Sequence, residues 1–93
     1  MMISVLTITL YVPWAHSLKE KRMVLKSLTT KIRGKFNVSV AETGSQDAHQ
    51  SIVITIAAVA ANNAQSDSII DNVINFVETA TDAQITQIER DTR

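Results

Sequence analysis

The sequence predicts an α+β fold: a four-stranded antiparallel sheet with two helices packed on one face. Three observations carry this. Apolar residues alternate with period two from Ile3 to Val12 and again from Phe36 to Glu42, and a β-rich run apolar on both sides follows from Ser51 to Ala60. Two other stretches repeat their apolar residues at helical spacing, each behind a capping residue. Read in chain order, the elements give β-α-β-β-α-β, the split βαβ arrangement. With 93 residues the chain holds a single domain spanning 1–93, because a second core could not be buried by what remains.

The first strand runs from Ile3 to Val12, with Leu6, Ile8, Leu10 and Val12 on one face and Val5, Thr7, Thr9 and Tyr11 on the other. Polar Ser4, Thr7 and Thr9 interrupt it and no basic residue precedes it, so it reads as a strand and not as a signal peptide or membrane span. Pro13 lacks an N–H and ends the ladder. Ser17 with Glu20 three residues on is a capping-box pattern, opening a helix that should reach about Arg33 with Gly34 as its terminator. Leu18, Leu25, Leu28 and Ile32 form its apolar stripe, and Lys21 falls close to that seam, where its stem packs and its ammonium is expected to reach water.

Phe36 to Glu42 alternates again, with Phe36, Val38 and Val40 on one side, and Thr43 to Gln50 reads as a connection. The third strand, Ser51 to Ala60, is apolar on both sides: Ile52, Ile54, Ile56 and Ala58 against Val53, Thr55, Ala57 and Val59. Such a strand calls for cover on both faces, which points to a second copy or another partner on the open side of the sheet. Asn62 or Asn63 caps a second helix over about Ala64 to Thr79, with Ile70, Val73, Ile74 and Val77 buried and Asp82 in the turn beyond. In the last strand, Gln84 to about Asp91, Ile85 and Ile88 have opposite parity and share the core face only if a bulge intervenes.

The segments HSLKEKR (His16–Arg22), KSL (Lys26–Leu28) and KFNVSVAE (Lys35–Glu42), with the spacing to Gln46, Asp47 and Gln50, resemble the YlxP-like family of small uncharacterised bacterial proteins. The likeness covers nearly the whole chain and thins after Ala61. Two positions differ: Trp14 stands where that family commonly has a small residue, and His49 where a Trp is usual. The resemblance implies a ferredoxin-like fold and a gene near those of transcription and translation factors, among them a ribosome binding factor. It implies no established activity.

Charge supplies the functional signal. Seven of the nine Lys and Arg residues fall between Lys19 and Lys35, although the formal net charge is zero. Residues 1–40 carry one acid, Glu20, and residues 41–93 carry eight acids against two bases, so the chain is an electrical dipole. On a helical wheel Lys19, Arg22, Lys26 and Arg33 fall within roughly a 60° sector, a cationic ridge suited to successive phosphates. Lys31 and Lys35 lie on the other flank. Trp14, just before this helix, is a candidate stacking surface for an unpaired base, or else a cover over the end of the core. No aromatic pair sits on a central strand, so binding is expected through shape and backbone.

Catalytic and metal chemistry find little purchase. There is no cysteine, hence no thiolate ligand or nucleophile, and a reducing cytoplasmic setting fits. His16, Glu42, Asp47 and His49 are not at ligand spacing, and Gln46 and Asp47 are expected to satisfy donors of their own loop, with His49 on the surface. Two glycines make no phosphate loop. The expectation is therefore a non-enzymatic module with no cofactor and no membrane role, bound to structured RNA or a ribosomal particle through Lys19, Arg22, Lys26, Arg33 and Trp14. The alternative is a homodimeric interaction module using the open sheet face. On the second helix Asp67, Asp71 and Glu78 point outward, to meet a neighbour's ridge or to keep the protein soluble.

Overall fold

Alternation at the amino end becomes β1 (Met2–Tyr11), followed by α1 (Leu18–Lys35), β2 (Ser39–Gly44), β3 (Ser51–Ala60), α2 (Asn63–Ala80) and β4 (Gln84–Thr92) in a computed structural model that describes all 93 residues. The sheet order is β2-β3-β1-β4 and every pairing is antiparallel. This is the ferredoxin-like arrangement: two β-α-β halves interleave, so that β1 and β3 lie at the centre and β2 and β4 at the edges.

Strand parity decides what is buried. Leu6, Ile8 and Leu10 of β1 lie opposite Ile56, Ile54 and Ile52 of β3, and these six, with Leu28 and Ile32 of α1 and Ile70, Val73 and Val77 of α2, form one dry core. Each such side chain contributes about 1.5–3 kcal/mol by leaving water. Ser4 of β1 and Ser66 of α2 enter this layer as a mutually satisfied hydroxyl pair at 2.6 Å. The other face of β1 and β3 has no element over it. There Val59 is 68% exposed and Thr55 shares hydroxyl bonds with Thr7 and Thr43.

Both helices start with the same device. Ser17 Oγ accepts from the Glu20 N–H at 3.1 Å while the Glu20 carboxylate accepts from the His16 N–H. At α2, Asn62 Oδ1 accepts from the Gln65 N–H at 2.8 Å and the side-chain Oε1 of Gln65 accepts from the Ala61 N–H. Reciprocal bonds of this kind satisfy amides that a first helical turn leaves unpaired.

Several boundaries differ from the sequence expectation. Gly34 does not end α1: the helix continues through Lys35, and the Phe36 N–H closes the last turn on Ile32 O at 2.9 Å. No left-handed residue is needed there, because Phe36 leaves the helix in extended conformation and its ring packs edge-to-face on Phe76, centroids 5.5 Å apart. Pairing of the second strand accordingly starts at Ser39 and not at Phe36, and it runs past Glu42 to Gly44 through a register shift that leaves Thr43 unpaired. Ser45 then turns the chain at φ 55°. In β4 a bulge at Thr86 moves the register by one, so that Ile85 lies opposite Leu10 and Ile88 opposite Ile8. Both therefore lie on the helix side of the sheet, which their opposite parity allows only with a bulge; Ile85 packs on the core while Ile88 stays 39% exposed.

Candidate nucleic-acid interface

The basic residues of α1 divide by the side of the helix on which they fall. Lys21 lies on the inner side and is 1% exposed, so the expected route of its ammonium to water is closed. Its Nζ donates to the carbonyls of Ser45 and Gln46 at 2.8 and 3.3 Å and lies 3.2 Å from Glu42 Oε2. That carboxylate oxygen is itself buried and approaches too obliquely for a hydrogen bond, so the two charges are held by Coulomb attraction while the N–H bonds serve the loop. Gln46 thus contributes its backbone carbonyl, and Glu42 is the counter-charge of a buried amine.

Lys19, Arg22 and Lys26 are exposed and none is paired with a carboxylate. Arg33, the fourth residue of the ridge, is tethered: its guanidinium donates to Val40 O of the edge strand β2 at 2.8 Å. That bond fixes the carboxyl-terminal end of the ridge against the β2 flank. Lys31 faces the other helix, donating to Ala80 O at 3.2 Å near the end of α2, where carbonyls lack helical partners.

Trp14 is 42% exposed, between the two expectations for it. It does not sit in line with the ridge. It lines a groove of about 310 Å³ between α1 and the end of α2, with Met23, Val24, Leu28, Lys31 and Asp82. Around the helix this groove lies on the flank opposite Arg33, and the shallow surface between the two carries Met23, Lys26, Ser27, Thr30 and Lys31.

Several acids are engaged away from the ridge. Asp67 and Asp71 are exposed, as expected, and flank Arg90 of β4 at 3.7 and 2.9 Å. Asp91 engages Arg93 at 3.2 Å, and that guanidinium, aided by the Thr92 N–H, holds its carboxyl below the usual carboxylate range. His16, Asp47 and His49 are exposed, and no three His, Asp or Glu side chains converge on a point that would hold a metal ion. No helix is long and apolar enough to cross a membrane.

Spacing along one helix made the ridge legible in the sequence. The groove was not, because Asp82 and Ala80 reach Trp14 only through tertiary packing; the signal available was Met23, Ser27 and Lys31 at i, i+4, i+8 beside Trp14. The buried pair was also missed, although Lys21 and Glu42 both lie in the segments that carry the family resemblance.

Residues 3–90 match the family model described as "Protein of unknown function (DUF503)". The chain is 44% identical over 64 residues to the "Uncharacterized protein YlxP" of Bacillus subtilis (strain 168), a stretch covering 69% of this chain and 70% of that protein. The chain belongs to the DUF503 family.

Proposed function

We propose that the protein is a non-enzymatic module that docks on structured RNA, most naturally a ribosomal particle or its precursor, through phosphate contacts from Lys19, Arg22 and Lys26. Arg33 shapes the end of the same surface from its tether on β2. The observation that carries this reading is that the ridge keeps its charge on folding: its three free cations have no carboxylate partner, whereas Glu42, Asp67, Asp71 and Asp91 are engaged by other bases. Lys19 and Lys26 stand about 10 Å apart along the helix axis, on the order of three base steps of one strand. A rigid cationic row of that length binds backbone without reading bases. The module works in the cytoplasm, where such a partner is found.

The test is the salt dependence of binding. Affinity for a structured ribosomal RNA fragment should fall steeply with ionic strength, and replacing Lys19, Arg22 and Lys26 together with Gln should weaken binding and lower the log–log salt slope by about three. Unchanged retention of the triple variant on that RNA refutes the assignment.

One observation favours a second reading. On the open face Val59 lies opposite Ile3 and Val5 opposite Ala57, giving a small apolar surface with nothing over it. A homodimer through this face would survive high salt, and sedimentation at micromolar concentration distinguishes it: a single monomeric species rejects it.

A further inference from the structure

The groove beside Trp14 is joined to the ridge and has the chemistry of a base-binding site. Trp14 and Met23 are two of the few large apolar side chains left exposed, at 42% and 66%, and they stand together at its mouth over Val24 and Leu28. Met23 also belongs to the strip of surface that carries Lys26, so apolar groove and free cations are continuous. Lys26 lies on the adjoining strip and Lys31 on both surfaces. Lys31, with a single bond to Ala80 O, keeps donors free. Asp82, two residues beyond Ala80, lines the same groove.

We infer that this groove takes one unpaired nucleotide of the RNA, its base stacked on Trp14 and its phosphate held by Lys26 and Lys31. The inference rests on the phosphate-binding reading of the ridge and narrows its substrate class to RNA in which a bulged or looped nucleotide adjoins a helix. An apolar floor with an aromatic wall suits the face of any base, and the two lysines suit the phosphate that accompanies it. Asp82, in the same lining, can accept a hydrogen bond from a base amino or imino group. A neutral apolar protein segment would find the apolar part equally suitable but would leave the two lysines without an anion.

Trp14 is the only tryptophan in the chain, so its emission reports the groove directly. The full chain is titrated with two dye-labelled RNA hairpins of the same stem, one fully paired and one with a single unpaired adenosine, reading dye anisotropy and Trp14 fluorescence together. The expected result is that both bind, that the bulged RNA binds roughly tenfold tighter, and that it alone quenches Trp14. Trp14→Ala should erase the difference while leaving paired-stem binding intact, which also shows that the variant is folded; Trp14→Tyr should restore most of the preference. Equal affinities with unchanged Trp14 emission overturn the groove assignment and leave the ridge standing. Binding of neither RNA removes the ridge reading and the groove with it. Emission that follows protein concentration alone, with or without RNA, assigns the groove to a second copy of the chain and likewise overturns the proposal.

Discussion

Lys21 and Arg22 are adjacent in sequence and about 100° apart on the helix, and folding gives them opposite fates. The amine of Lys21 is buried against two loop carbonyls and Glu42. Arg22, like Lys19 and Lys26, stands in water with no counter-charge. The inner cation belongs to the fold and the outer ones are free for a partner. A basic cluster read from composition alone therefore overstates the surface charge, because a cation within it can be the core's.

The contrast breaks most strongly at Lys21. Removing its whole side chain with Lys21→Ala should cost about 3 kcal/mol and lower the melting midpoint by more than about 10 °C, since it empties a packed site, frees two carbonyls and strands a carboxylate. Lys21→Met keeps the stem and should lose visibly less; equal losses would mean that the charge does all of the work.

Acting from the other partner, Glu42→Gln should cost about 1–2 kcal/mol in chemical denaturation, less than Lys21→Ala because the ammonium keeps its two carbonyls. A neutral result would show that the loop carbonyls alone satisfy Lys21.

At the far end of the same helix, Gly34→Ala should stabilise by about 0.5–1 kcal/mol. The residue is helical, its φ is not positive and an added Cβ meets nothing within 4 Å. A loss of stability would mean that the last turn is not helical in solution.

The smallest effect on folding belongs to the outer cations. Gln at Lys19, Arg22 and Lys26 should leave stability within about 0.5 kcal/mol, as should Arg90→Ala, whose pairs with Asp67 and Asp71 are exposed. A melting midpoint that drops with the ridge variant would place those cations in the fold and blur the comparison.

Local chemistry explains how much of this was legible beforehand. Strand parity and the Ser17–Glu20 box were enough to place β1, β3 and the start of α1, because each rests on residues within a few positions of one another. The opposite parity of Ile85 and Ile88 left a bulge as the one way for both to share a face, and the register shift at Thr86 supplies it. Gly34 misled because glycine is permitted inside a helix whenever a following residue, here Phe36, closes the final turn. The fate of Lys21 could not be read from α1, since its partners lie on the strand and loop some twenty residues later. The same holds for Trp14, whose neighbours Ala80 and Asp82 come from the other end of the chain.

Amine acylation footprinting by mass spectrometry, with and without a structured ribosomal RNA fragment, tests the division most directly. Lys21 should resist labelling in the native protein under both conditions, while Lys19 and Lys26 should label readily when free and become protected when RNA is bound. Rapid labelling of Lys21, or unprotected Lys19 and Lys26 in an RNA-bound sample, would contradict the account.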